Sequence, residues 1–364
     1  MRLQVTQENL SKALAIVGRV ASGKTPLPIL NNILLKTEGN RLLLAATNLE
    51  LAVTQFIGGK IDEEGSITVP ARLISELVSN LPKGNVELVT EQHKLHIKAA
   101  HYNATLNGMV ADEFPSLPTV NNEEKISLPT HLVKRAIQQT VLVASNDDTR
   151  PFLTGVYVHV HEGKLYFAAT DGYRLAERRI IDCSQEIEAI IPADTLQEIL
   201  RVVSDDVEEV DFWFDGTQVR VRVGETDIVS RLIDGNFPNY RQLIPAKNDI
   251  TAVLNKDELV RITKIASLFS RESGGSITVE VDETTHSVSI HSVASQVGEN
   301  DAEIEAEAQG SGKLTLNSRY LLEALGCIDE KTVQFAFSGK LSPCVLTTNE
   351  KDTDYKHIVM PLKS

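Results

Sequence analysis

Three stretches of the chain, QENLSKALAIVGRV (7–20), PTHLVKRAIQQTVLVAS (129–145) and NKDELVRITKIASLFS (255–270), are versions of one amphipathic helix recurring about 123 residues apart. Each is followed by a strand with a polar or proline break and then a second helix: TVPARLISELVSNLP (68–82), IIPADTLQEILRVVS (190–204) and TLNSRYLLEALGCI (315–328). Each copy closes on a strand and a proline, in EFPSLP (113–118), NFPNYRQLIP (236–245) and KHIVMPLKS (356–364). A unit written three times, with few chemically reactive residues at matching positions, describes a chain built to form a shape.

Between the helices the sequence alternates apolar and polar residues with period two, as in RLLLAATNLELAV (41–53), KLYFAATDGYRLAERR (164–179) and SITVEVDETTHSVSIHSV (276–293). Such segments read as antiparallel strands. Asp215-Gly216 and the run Asp282 to Thr285 supply hairpin turns. Each copy therefore amounts to two helices and roughly eight strands, and helices laid on one side of antiparallel sheet give an α+β domain. Poorly apolar joints at Thr119–Glu124 and Pro245–Asp249 place the domains at 1–122, 123–247 and 248–364.

The chain has 364 residues, 42% of them apolar and 24% charged, enough to bury several cores. No apolar run is long enough to span a bilayer. The start, MRLQVTQENL, lacks the apolar stretch of a secretory signal. Cys183, Cys327 and Cys344 are scattered and odd in number, which fits a reducing cytoplasm and neither a disulfide framework nor a zinc site. The net charge of −14 argues against a nucleic-acid grip spread over the whole surface. The six helical phrases, however, hold ten basic and seven acidic residues, or +3, leaving −17 for the rest. Two readings remain: helices with ordinary mixed charge, or a basic helical face on an otherwise acidic body that draws a polyanion to one surface.

Catalytic readings find little. The nine histidines show no metal-ligand spacing. Gly310-Ser311-Gly312-Lys313 lacks the upstream glycine of a phosphate loop and is followed by Leu314. Asp147-Asp148 and Asp205-Asp206 are loop neighbours, and no nucleophile elbow occurs. No catalytic residue, metal or cofactor is expected.

Six phrases in order, TPLPILNNILL (25–35), TVPARLISEL (68–77), EFPSLP (113–118), ATDGYRLA (169–176), LIDGNFPNYRQLIP (232–245) and VMPL (359–362), carry a family resemblance over the whole chain. The chain resembles the bacterial sliding clamp, the β subunit of replicative DNA polymerase III. The resemblance implies a head-to-tail homodimeric ring of six domains, with twelve helices around duplex DNA and no enzymatic activity of its own. Helices about 10 Å apart, twelve to a circle, leave a hole of about 28 Å, whereas six leave about 9 Å. Two chains could therefore encircle a duplex and one could not.

The resemblance also implies a groove for short peptides, containing Gln and Leu or Phe, from the replicative polymerase, the clamp loader and repair proteins. Its first subsite would be Leu153, Thr170, Gly172, Tyr173, Arg174, Leu175, Pro238, Leu243 and Met360. Its second would be Arg150, Phe152, Asn317, Tyr320, Leu341, Pro343, Met360, Pro361 and Leu362. Read without the family, ATDGYRLA is a plain hairpin around Asp171-Gly172. Tyr173 stands where many relatives have His, and Ser270 to Gly275 lacks an aromatic found in some. Backbone contacts to DNA would come from Lys24, Arg72 and Arg150. The subunit joint would set Leu106 against Leu268 and Phe269, residues that otherwise read as ordinary core. The competing function is a scaffold of the same fold that holds proteins and no DNA.

Overall fold

A computed structural model of the chain describes residues 1–22, 27–120, 124–296, 298–348 and 354–362. Six α-helices lie among them: Gln7–Val17, Ala71–Ser79, Thr130–Thr140, Ala193–Val202, Lys256–Phe269 and Ser318–Gly326. All six expected phrases are helical. Three of them, Gln7–Val17, Lys256–Phe269 and Ser318–Gly326, start at side chains that accept from free backbone N–H groups. Asn255 accepts from Glu258 N at 3.1 Å, and Asn317 from Arg319 N at 2.9 Å. Where Pro70 and Pro192 end a strand, the helix begins at the next residue. Apolar side chains three and four apart form the buried stripe of each helix, such as Leu10, Leu14 and Val17, or Leu321, Ala324 and Leu325.

Among the described residues every strand pair is antiparallel, and the strands form three sheets of five, eight and twelve. The chain divides into two compact units, 1–133 with 194–232, and 134–193 with 233–364. These units do not follow the sequence copies, because two sheets run continuously across copy boundaries. In the first unit, Leu51–Gly58 of copy one pairs with Thr226–Arg231 of copy two, setting Ala52 opposite Val229. In the second, Arg174–Asp182 of copy two pairs with Tyr355–Val359 of copy three, setting Leu175 opposite Ile358. The same strand of the repeat is used on each side of both seams.

Two edges of this kind are left over among the described residues. Tyr102–Asn107 ends the five-stranded sheet, bonded only to Lys94–Ala99. The long strand Gly298–Gln309 bonds to Ser287–Ala294 over its first eight residues, and only its last four also meet Ile250–Asn255.

Part of the basic charge of the helices is offset by pairing. Arg72 bonds Glu76 and Arg319 bonds Glu323, each one helical turn away, and Arg201 pairs with Glu198. Arg135 reaches Glu330 at 2.9 Å, and Lys256 Nζ donates to Ile328 O at the end of another helix. Arg261 and Lys264 project from their helix exposed.

Candidate functional site

The hairpin between Lys164–Thr170 and Arg174–Asp182 is closed by side chains that substitute for a backbone turn. Thr170 Oγ1 donates to Arg174 O at 2.7 Å and accepts from Gly172 N at 3.1 Å. Asp171 Oδ1 accepts from Tyr173 N at 2.8 Å and Arg174 N at 3.0 Å. Gly172 takes φ +92, a conformation that favours glycine, and a Cβ there would lie 3.5 Å from Arg150 Nη1.

Arg174 is the structural hub. It is 7% exposed, bonds Asp171 at 3.0 Å and Leu142 O at 2.8 Å, pairs with Glu323, and lies over the Tyr320 ring at 4.6 Å. Burial alone would raise the Glu323 carboxyl. Hydrogen bonds from Arg319 and Arg174 outweigh it and hold the group below its usual range. A lowered folded value means that the contribution is full above the unfolded value and is lost as pH falls through the folded one. Glu323→Gln should therefore cost about 1 kcal/mol at neutral pH, discounted for partial exposure. The difference from the parent chain should shrink in urea titrations as the pH falls below the usual carboxylate range. A difference that persists in acid would refute the assignment.

The C-terminal residues lie along this hairpin. Strand Tyr355–Val359 is bonded to Arg174–Asp182 on one side and Cys344–Thr347 on the other. Beyond it, Met360 N donates to Tyr173 O at 2.9 Å and Leu362 N donates to Thr315 O at 2.8 Å. The tail thus bridges the hairpin to the strand that enters helix Ser318–Gly326. Below it His357 is fully buried and bonded to Tyr355 Oη at 2.7 Å; burial drops its pKa to about 3, so the imidazole under the tail is neutral.

The third wall is the segment carrying FPNYRQL. Its anchor is Tyr240, buried with Ala168, Leu175, Val345 and Ile358 in one apolar cluster. Tyr240 Oη donates to the buried Glu177 at 2.5 Å and meets His159 Nε2 at 3.2 Å, and Arg241 pairs with Glu177 at 3.1 Å. Phe237 stacks on Tyr157 at 4.8 Å. Burial lowers His159 to about 4, so this network carries a neutral imidazole. These interactions hold Pro238 and Leu243 at the surface.

Of the first predicted subsite, Leu153, Thr170, Arg174 and Leu175 are buried supports. Gly172, Tyr173, Pro238 and Leu243 are exposed, Tyr173 by 62%, and Met360 is half-buried. Of the second, Leu341 is 72% exposed on the loop before Cys344–Thr347. Arg150, Phe152, Asn317, Tyr320, Pro343, Pro361 and Leu362 are partly covered. Arg150 bonds Asp147 at 2.9 Å. Asn317 caps its helix and donates to Gly274 O at 3.3 Å.

Of the predicted DNA contacts, Lys24 lies outside the described residues, and Arg72 is exposed but paired. Of the predicted joint, Leu106 is buried in its own sheet, Leu268 is 55% exposed and Phe269 half-buried at the end of its helix. Sequence reasoning missed Glu177, Glu323 and His159, whose partners lie 63 to 149 residues away. No helix among the described residues is long and apolar enough to cross a membrane.

Comparison with known families resolves what this geometry belongs to. Residues 1–118 match the N-terminal domain of the DNA polymerase III beta subunit, 127–239 its central domain, and 241–363 its C-terminal domain. The chain belongs to this family. The beta subunit is the sliding clamp, a processivity factor for DNA replication and a non-catalytic part of the polymerase assembly. The beta sliding clamps of Staphylococcus epidermidis and Staphylococcus aureus are each 30% identical to this chain over 359 residues, 95% of both lengths. A crystal structure of the Bacillus subtilis sliding clamp superimposes with a TM-score of 0.95 at 28% identity, covering 100% of this chain and 99% of that one. The Pseudomonas aeruginosa clamp bound to griselimycin also gives 0.95 at 28% identity, covering 100% of both. The α+β class and the three clamp domains read from the sequence agree with these matches.

Proposed function

We propose that two copies of this chain join head to tail into a closed ring that encircles duplex DNA without regard to sequence and slides along it. The domains would be 1–122, 123–247 and 248–364, in the cytoplasm of the cell. The observation that carries this reading is the pair of leftover edges. Each seam inside the chain joins the strand closing one copy's sheet to the hairpin strand of its neighbour, as Thr226–Arg231 meets Leu51–Gly58. Copy one offers the first kind of edge in Tyr102–Asn107, and copy three offers the second in the early part of Gly298–Gln309. Each chain thus carries one half of a third seam, and a second copy supplies the other half.

Charge favours the match. Glu299, Asp301 and Glu303 are exposed on one edge, and Lys94 and Lys98 are exposed on the strand behind the other. Leu268 and Phe269 close the helix of the same copy that supplies the acidic edge, and Leu106 lies on the opposing strand. Changing Leu268 and Phe269 together to serine should leave the fold intact and give monomers in sedimentation. Buried apolar side chains contribute about 1.5–3 kcal/mol each, and the ring would lose two at each of two joints. Unchanged dimer mass at low concentration would refute these residues as the joint.

The apolar rim of Tyr173, Leu243, Leu341 and the half-buried Met360 would receive short linear peptides from the replicative polymerase, the clamp loader and repair proteins. The buried supports beneath it fix its shape. Lys24, Arg72 and Arg150 would touch the DNA backbone. Weak contacts suffice when closure does the holding.

A further inference from the structure

We propose a second peptide-docking pocket, at the first seam of the chain, related by the repeat to the hairpin–tail groove. The hairpin between Arg41–Thr47 and Leu51–Gly58 repeats the Thr170–Arg174 turn bond for bond. Thr47 Oγ1 donates to Leu51 O at 3.0 Å and accepts from Leu49 N at 3.0 Å. Asn48 Oδ1 accepts from Glu50 N at 3.0 Å and Leu51 N at 2.7 Å. Arg231 N donates to Glu50 O at 3.0 Å, the bond that Met360 N makes to Tyr173 O in the other groove. Pro115 of EFPSLP occupies the position of Pro238 in NFPNYRQLIP.

These equivalents enclose a cavity of about 260 Å³, lined by Thr47, Leu49, Leu51, Pro115, Val229 and Arg231, with Gln218. Two further observations point to a ligand. Leu49 stands where the other turn has Gly172. It is held at φ +77, a conformation leucine rarely adopts, with its side chain 48% exposed at the rim. Gln218 lines the cavity, and its buried Oε1 has no hydrogen-bond partner among the described residues, an acceptor that a turn of the side chain would offer to an incoming N–H.

The occupant is a short extended segment of a partner protein. A cavity of this size holds one or two aliphatic side chains, fewer than a drug-sized ligand needs. Its rim replaces Tyr173 and Met360 with Glu50 and Arg231, an ion pair at 3.6 Å. The segment therefore differs from a Gln-x-x-Leu-Phe peptide: a leucine anchor, polar flanks, and a main-chain N–H for Gln218. The inference rests on reading the hairpin–tail groove as a peptide site, since the repeat carries that role across.

The test uses the full chain with labelled leucine, valine and methionine methyl groups, followed by NMR. The probe acetyl-Gly-Leu-Leu-Gly amide should shift Leu49, Leu51 and Val229 saturably, with a dissociation constant on the order of 1 mM or tighter. Leu49→Gly should weaken this at least about tenfold without lowering the melting temperature, because glycine suits the turn. Gln218→Ala should weaken it as well. Absence of saturable shifts at these methyls, or full binding to Leu49→Gly, overturns the proposal. A Gln-Ala-Asp-Leu-Phe peptide, read at Met360, tests the hairpin–tail groove separately. A response there with silence at Leu49 defeats the second pocket alone. A response at Leu49 with silence at Met360 defeats the first reading and leaves the second pocket standing as a site in its own right.

Discussion

On nicked circular DNA the assembled ring should survive a salt wash that strips ordinary basic DNA-binding proteins, and it should leave within the same wash once the circle is cut. A protein held by six to ten phosphate contacts loses roughly 10³–10⁵ in affinity between about 50 and 200 mM salt, because each contact releases counterions. Here Arg72, Arg135, Arg201 and Arg319 are each engaged by a carboxylate, so the grip on phosphate is expected to be slight at any salt. Retention would come from closure, which counterions do not undo. Gel filtration of labelled protein with circular and linearised DNA reads the difference directly. Equal loss from both forms would leave no role for a ring.

Removing the tail from Met360 onward should cut the affinity for a Gln-x-x-Leu-Phe peptide at least about 30-fold, the equivalent of about 2 kcal/mol for one buried anchor. The shortened chain ends on Val359, the last residue of its strand. Ile358 and Val359 stay buried between their neighbours, so the sheet keeps its register. The groove loses two tethers, Met360 N to Tyr173 O and Leu362 N to Thr315 O, together with the apolar surface they position. Dimer mass and melting temperature should hardly change. Calorimetry showing full-strength binding to the shortened chain would remove the tail from the site.

The elements were legible because their signals are local. Helix spacing in Leu10, Leu14 and Val17, strand alternation in 164–170, and the Thr170-Asp171-Gly172 turn all lie within a dozen residues. The i to i+4 pairs Arg72–Glu76 and Arg319–Glu323 were legible too, and counting them as pairs rather than as net charge would have flattened the basic face. The partners of long-range contacts were not. Nothing near Arg174 announces Glu323, and nothing in Thr226–Arg231 announces Leu51–Gly58. Such pairings are chosen by how copies stack, which the sequence records only as repetition. Arg174 was placed at the groove by resemblance, but its work as a buried hub emerged from coordinates alone. Leu49 shows the reverse case: a leucine at a glycine-like turn position, visible once the two hairpins are aligned, and informative only when its φ is known.

The reuse of one strand pairing at both seams of the chain, and at the third proposed between copies, would decide where the assembly is breakable. Two seams of each chain are joined by the polypeptide itself, so their halves sit at high effective concentration and re-form if they part. The third, proposed between two copies, would have no such tether and would obey mass action. Dilution, or a loader that pulls on the closed ring, would therefore find its weak point there and leave the other seams intact. A single backbone design can thus act as permanent masonry in one place and as a gate in another, the difference being only whether a covalent chain runs across it.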